Sequence, residues 1–359
     1  MKPSLVTLAR AAAVSVVMPR LARAARTRSP VACVEPSGHS ISVVIPARDE
    51  AARIQPLLDV IVGAPGVTEV IVVDDESSDS TGEVAKRSGA QVVSAGRRPE
   101  GWAGKTWALQ CGLDAATSDW IVALDADTRP RPELPVSVVS RAEADGTDLL
   151  TVAGRFDGDS AGARWLQSAM LTTLVYRFGP PGQSRPPVFG RMLANGQCMA
   201  FRRGTLLAIG GFRTVAGAVV EDVALARHLA ATGRRVDFLD AAELLKVELH
   251  DSLVASWHGW GRSIGLPGVE PICRQLLDVA VLALTLPLPL VRLMVGRPDP
   301  IDLVSLTARL GTLVGTRAAF SRNDLAYWAS PLADVIAVAA VAKSVLTRRH
   351  VWSGRTYQL

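Results

Sequence analysis

Two carboxylates one residue apart, Asp125 and Asp127, follow the apolar run Trp120-Ile-Val-Ala-Leu124. Such a run reads as a buried strand, and parallel sheets place their ligands outside the carboxyl ends of their strands. Two hard oxygen donors there can hold Mg²⁺ or Mn²⁺ and leave positions open for phosphate oxygens and water. The chemistry indicated is metal-dependent work on a phosphate-bearing substrate. Alone, Asp-x-Asp is more often a solvated turn. Two more acidic strand ends keep it company. Val73-Asp74-Asp75-Glu76-Ser77-Ser78-Asp79-Ser80-Thr81 offers carboxylates to a nucleobase or ribose, or a polar turn in which Asp79 caps the next helix. Pro46-Ala47-Arg48-Asp49-Glu50 closes an earlier apolar run, or only begins a helix.

These residues need a scaffold, and the alternation of the chain supplies one. Strands are expected at 42–46, 70–74, 91–94, 121–124 and 149–152. Helices are expected at 50–62, 80–88, 105–116 and 134–145. Strands alternating with helices at this spacing imply right-handed crossovers and a mostly parallel sheet covered on both faces. Further on, 162–178 reads as an amphipathic helix, 180–187 as a mobile proline-rich loop, 195–202 as a strand and 222–232 as a helix.

The chain has 359 residues, 48% of them hydrophobic, and a formal net charge of +5. Lys2, Arg10, Arg20, Arg23, Arg26 and Arg28 precede the first acid, Glu35, so the body carries no basic excess. That excludes a nucleic-acid binder and suits a leader lying on an anionic membrane surface. Its uninterrupted apolar stretch, 11–19, is short of the roughly 20 residues that a span needs, so an amphipathic interfacial anchor over 1–38 is expected. Cys33, Cys111, Cys198 and Cys273 show no paired spacing, which argues against zinc and a disulfide framework. His39, His228, His250, His258 and His350 lack ligand spacing.

Three apolar stretches fill the last part. Spans are expected at 276–295 and 325–346. The middle stretch, 303–320, is expected at the interface because Arg309 and Arg317 each cost about 2.5–3.5 kcal/mol at a bilayer centre. The alternative is three core helices of a soluble domain, and Pro287 and Pro289 speak for it. The organisation expected is an anchor over 1–38, a catalytic domain over 39–265, and membrane-associated helices with a short basic tail over 266–359. The localisation that follows is the cell membrane, multi-pass or tail-anchored, with the catalytic domain facing the cytoplasm.

The motifs in order resemble the GT-A domain of family 2 glycosyltransferases, a Rossmann-like fold. They are Ser42-Val-Val-Ile-Pro-Ala-Arg-Asp-Glu50, Val-Asp-Asp-x-Ser-x-Asp-x-Thr81, Gly104-Lys105, Leu-Asp-Ala-Asp127, Asn195-Gly-Gln-Cys-Met-Ala-Phe-Arg-Arg203, Ile209-Gly-Gly-Phe212, Val220-Glu-Asp222 and Trp257-His-Gly-Trp260. The likeness runs from about 42 to 262 and thins beyond, although Val351-Trp-Ser-Gly-Arg-Thr-Tyr357 also fits. The subgroup it suggests comprises membrane enzymes that glycosylate carotenoid acids, with hopanoid-associated relatives.

The resemblance implies an inverting, metal-dependent hexosyl transfer from a nucleotide-sugar, a UDP-sugar, to a lipid-like acceptor such as a carotenoid or other isoprenoid. Pro46, Ala47, Arg48 and Glu50 would line the nucleotide pocket and Asp75 would bind the uracil. Lys105 would meet the diphosphate, Asp125 the ribose or the metal, and Asp127 the Mn²⁺ or Mg²⁺. Asp222 would be the general base. Glu221, Asn195, Gly196, Gln197, Trp257, Trp260 and Arg262 would face the acceptor. Where processive members carry Gln-x-x-Arg-Trp, this chain reads Trp257-His-Gly-Trp260-Gly-Arg262, which argues against a polysaccharide synthase. The two tryptophans are equally a membrane-interface belt. A polyprenyl-phosphate glycosyltransferase is the alternative, and an inactive membrane-tethered nucleotide-sugar sensor a remote one. A haloacid-dehalogenase-type phosphatase also opens on Asp-x-Asp, but Arg129 stands where that site wants Thr or Val.

Overall fold

Seven consecutive residues, Ile41–Ala47, are almost wholly buried in the computed structural model and form β1. Burial on both faces marks a central strand of a covered sheet. The structure describes residues 4–34, 38–184, 189–347, 349–352 and 355–358. Two compact units emerge: an α/β unit of Arg28–Arg155 with Pro186–Glu248, and a helical unit of Met1–Thr27, Phe156–Arg185 and Leu249–Leu359.

In the α/β unit, β1 is followed by β2 (Val67–Asp74), β3 (Gln91–Ser94), β4 (Trp120–Leu124), β5 (Thr128–Pro130) and β6 (Leu149–Ala153). After β7 (Arg155–Asp157) come β8 (Cys198–Arg202), β9 (Val236–Asp240) and β10 (Leu245–Glu248). Seven strands form one sheet in the order β3-β2-β1-β4-β8-β6-β9. The pairs β1/β2, β1/β4, β2/β3 and β6/β9 are parallel, as expected. β8 is antiparallel to both β4 and β6, a direction that alternation alone did not reveal. β5 and β10 pair separately. The mixed α/β class with a mostly parallel sheet therefore holds.

Helix Ala51–Ile61 buries Ile54, Leu57, Leu58 and Ile61, a stripe at the 3–4 residue spacing of a helix on a sheet. Helix Gly104–Ala115 lies against β1 and β2, and Gly112 sets the approach. A Cβ at Gly112 would stand 2.3 Å from Val44 Cγ1 and 3.2 Å from Val73 Cγ2. Only glycine admits that contact, and the contact carries Lys105, in the first turn of the helix, along with it.

The helical unit contains Leu5–Ala22, Ala161–Phe178, Leu253–Ser263, Ile272–Thr285, Pro287–Met294, Pro300–Thr316 and Asp334–Leu346. Ala13, Met170, Leu282, Ala337 and Val341 share its core. One expectation changes here. The leader holds an 18-residue helix, Leu5–Ala22, with Arg10 turned inside to ion-pair with Asp299 at 2.6 Å and with Asp302. The segment 325–346 is not one span: Leu325–Trp328, a turn at Ser330–Ala333 and helix Asp334–Leu346 follow one another. Pro331 has no N–H to continue the first helix. In the middle stretch, Arg309 is buried and meets Asp334 through two bonds of 2.8 and 2.9 Å. Removing one partner of such a pair costs about 3–5 kcal/mol.

Two helices are long and apolar enough to cross a membrane, Leu5–Ala22 and Ile272–Met294, and the second bends at Leu286 before Pro287. The tail forms a backbone hairpin of Arg349–Trp352 with Arg355–Gln358. Of the proline-rich loop, 185–188 lie outside the described residues, as do Arg348, Ser353 and Gly354 of the tail.

Candidate active site

The loops after β1 and β2 are laced together. Asp49 and Glu76 adopt left-handed backbone, with φ of 55° and 58°, a conformation in which short polar side chains bond locally. Asp49 accepts from the Ser78 N–H at 2.7 Å and its hydroxyl at 2.9 Å, which holds its pKa below the usual carboxylate range. Asp79 accepts from the N–H groups of Ala51 at 3.1 Å and Thr81 at 2.9 Å, so it serves the starts of two helices. The Arg48 guanidinium donates to the Asp75 carbonyl at 2.8 Å. Asp75 is buried, and its N–H donates to the Ala47 carbonyl at 2.9 Å. These bonds tie the loop after Pro46 and Ala47 of β1 to the loop after β2.

A second group gathers where β4 ends. Lys105 Nζ lies 2.7 Å from Asp125 Oδ1 and 2.9 Å from Glu221 Oε1. The neighbouring Asp222 accepts from the Gly196 N–H at 2.7 Å and the Val223 N–H at 2.8 Å. A Cβ on Gly196 would stand 3.0 Å from Lys105 Nζ and 3.3 Å from Asp222 Oδ2. Asn195 and Gln197 close the turn around this glycine through mutual bonds of 2.8 and 3.2 Å. The Gln197 carbonyl accepts from the Asp125 N–H at 3.2 Å. Asp127 follows in the turn that Thr128 closes, donating to the Asp125 carbonyl at 2.7 Å.

The electrostatics follow from crowding several acids around one cation. Burial opposes charge on Lys105, but Asp125 and Glu221 overcome it and hold its pKa above the lysine norm. Burial pushes Asp125 up to about 6 against the pull of Lys105, and Asp127 adds to the rise. Asp222 is pushed up to about 7 by burial and the Glu221 charge, with Lys105 opposing. Glu50 rises to about 7 through burial, with Asp127 and Asp125 contributing. Around Lys105 the acids thus outnumber the cations.

Among the described residues no three His, Cys, Asp or Glu side chains form a group that could hold a metal by themselves. One carboxylate of the Asp-x-Asp pair is engaged by Lys105. A divalent ion at this edge would therefore need further ligands from substrate phosphate and water.

Trp257, Trp260 and Arg262 lie in the helical unit, on Leu253–Ser263. Trp260 packs 5.6 Å from the Phe156 ring, and Lys343 Nζ sits 5.1 Å over Trp257. The Arg262 carbonyl accepts from Ser344. The structure thus brings Lys105, Asp125, Gly196, Glu221 and Asp222 into contact. Sequence reasoning missed the Lys105 bridge and the Asp49–Ser78 lacing. The only prior signal for the latter was a run of short polar residues after an apolar strand.

Acidic strand ends on a mostly parallel sheet, with a buried lysine among them, lie at the edge where such sheets bind their ligands. The family description "Glycosyl transferase family 2" matches residues 42–209. An uncharacterized glycosyltransferase of Mycobacterium tuberculosis is 32% identical over 208 residues, 57% of this chain and 86% of its own length. The 4,4'-diaponeurosporenoate glycosyltransferase of Staphylococcus haemolyticus is 36% identical over 107 residues, 29% of this chain. The chain spans only 28% of that relative's length. A mannosyltransferase of Pyrobaculum calidifontis, solved with GDP-Man and Mn²⁺, superposes with a TM-score of 0.56 at 17% identity, over 95% of this chain and 97% of that one. This chain belongs to glycosyl transferase family 2.

Proposed function

We propose that the enzyme moves a hexosyl group from a UDP-sugar to a lipid-like isoprenoid acceptor, a carotenoid acid or a related compound, with inversion at the anomeric carbon. The observation that carries this reading is the contact set of Lys105, Asp125, Glu221 and Asp222 around the Gly196 backbone. Asp222, fixed by two N–H donors and pushed up to about 7, is tuned for a general base at neutral pH. It takes the proton from the acceptor hydroxyl or carboxyl. The acceptor oxygen forms its bond to the anomeric carbon as the bond to the diphosphate breaks on the opposite face. The electron pair leaves on the diphosphate oxygen.

Lys105 balances charge on that leaving group, and Glu50, Asp75 and the Arg48 loop shape the nucleotide end. Asn195, Gly196, Gln197 and Glu221 form the acceptor side of the same turn. Asp127, with Asp125, would hold Mn²⁺ or Mg²⁺, which when bound supplies positive charge to the diphosphate. The lipid acceptor is supported by the name of the staphylococcal relative and by the apolar surface of the helical unit. A membrane location with the α/β unit on the cytoplasmic side fits both. Trp257, Trp260 and Arg262 are proposed on the acceptor side.

The test is transfer of radiolabelled sugar from UDP-sugars to extracted carotenoid acids and, in parallel, to polyprenyl phosphate. Asp222→Asn should lose transfer by three orders of magnitude or more while still binding UDP-sugar. Undiminished transfer by that variant would remove the base. Labelling of the polyprenyl phosphate alone would replace the acceptor class.

A further inference from the structure

In a soluble protein, helices turn their polar faces to water. Here three helices bury charged and polar side chains beside the apolar core and present large apolar ones outward. Pro300–Thr316 buries Asp302, Ser305, Arg309 and Thr312, while Leu303, Val304, Leu310 and Val314 are exposed. Ile272–Thr285 buries Gln275, Asp278 and Thr285, and Ile272, Leu276 and Leu277 face outward. Leu5–Ala22 repeats the pattern, with Arg10 1% exposed and Leu5 85% exposed. Among the described residues, the exposed large hydrophobic side chains, Leu207 excepted, all lie in this unit.

The buried charges are paired within the unit. Arg10 and Arg292 meet Asp302, the latter at 2.9 Å; Arg309 meets Asp334 at 2.8 Å; Arg177 meets Asp278 at 3.4 Å. Charged groups that face a bundle interior and pair there are the pattern of proteins solvated by hydrocarbon. The unit also carries 19 Lys and Arg against 9 Asp and Glu, a formal charge of +10, whereas the α/β unit has 20 against 25, a charge of −5. Arg23, Arg26 and Arg317 are exposed beside the apolar faces. An apolar surface with a basic border is complementary to an anionic leaflet.

We propose that lipid acyl chains solvate the outer faces of Leu5–Ala22, Ile272–Met294 and Pro300–Thr316 together, in a bilayer of anionic lipid. Helix Pro300–Thr316 belongs to this lipid-facing set because its arginine is neutralised inside the unit. At 17 residues it is about 26 Å long, close to the hydrocarbon thickness of roughly 30 Å. This goes beyond the reading of the reaction and does not depend on which sugar or acceptor is used.

The test uses the full chain with Cys33→Ser and Cys273→Ser, which removes the two exposed thiols, and single cysteines at Val304→Cys, Leu310→Cys or Leu8→Cys. Each carries a fluorophore and is reconstituted into vesicles of phosphatidylcholine with phosphatidylglycerol. Brominated acyl chains should quench all three at least 2-fold more than an aqueous quencher does, and Leu207→Cys should show the reverse. Vesicles of phosphatidylcholine alone should bind several-fold less protein.

Strong aqueous quenching at 304 and 310 would overturn the proposal and make the unit water-solvated. Protection from both quenchers, with a dimer in lipid-free buffer, would overturn it in favour of a second copy of this chain. Because the readout is lipid contact, it succeeds or fails separately from the transfer assay.

Discussion

The Gly196 amide donates to Asp222 at 2.7 Å, so the candidate base is oriented by backbone and not by another side chain. A Cβ there would press on Lys105 Nζ at 3.0 Å, close enough that the lysine must give way. Gly196→Ala should therefore leave the fold intact, since Lys105 is a flexible side chain. Displacing the acid and lysine by a fraction of an ångström should lower kcat roughly 10- to 100-fold. Thermal unfolding measured beside sugar transfer checks this; wild-type kcat would show that the turn does not hold the reacting groups.

Transfer should also fade below about pH 7, where Asp222 gains its proton. Lys105 pulls that pKa down, so in Lys105→Met the acid limb of kcat/KM should move to higher pH. Stability carries the same signature with a definite sign. The native pKa of Asp222 lies above its ordinary value of 3.8, so between there and about 7 the folded state holds more protons than the unfolded one. Its contribution is complete below about pH 4 and is lost as pH rises through 7. Asn cannot ionise, so Asp222→Asn should gain stability relative to the parent between pH 5 and 8. Urea unfolding at both pH values measures the difference.

Gly112→Ala tests the scaffold. The added methyl would meet Val44 Cγ1 at 2.3 Å, and valine on a buried strand has little room to turn. Overpacking of this kind costs about 1–3 kcal/mol. Moving the helix also moves Lys105, so UDP affinity should fall with stability. Urea midpoints and UDP titration together separate this from a purely local clash.

Much of the α/β unit was legible because each strand is an apolar run and each crossover helix has a 3–4 periodicity, as at Ile54, Leu57, Leu58 and Ile61. The acidic strand ends were legible for the same reason: Asp125 follows five buried residues. Strand direction was not. Cys198–Arg202 reads as a buried strand whichever way it runs, and its antiparallel place beside Trp120–Leu124 is decided by the long connection before it. The bridge from Lys105 to Asp125 and Glu221 was hidden too, since its members lie 20 and 116 positions apart. Arg309 misled for a related reason. Its charge looked costly until folding delivered Asp334, 25 residues on, to neutralise it.

The pairing of Arg10 with Asp299 and Asp302 spans 289 and 292 positions. On the ribosome, that guanidinium emerges long before either carboxylate exists. The helix that carries Arg10 thus reaches its native surroundings only after synthesis has passed Asp302, however early it leaves the ribosome.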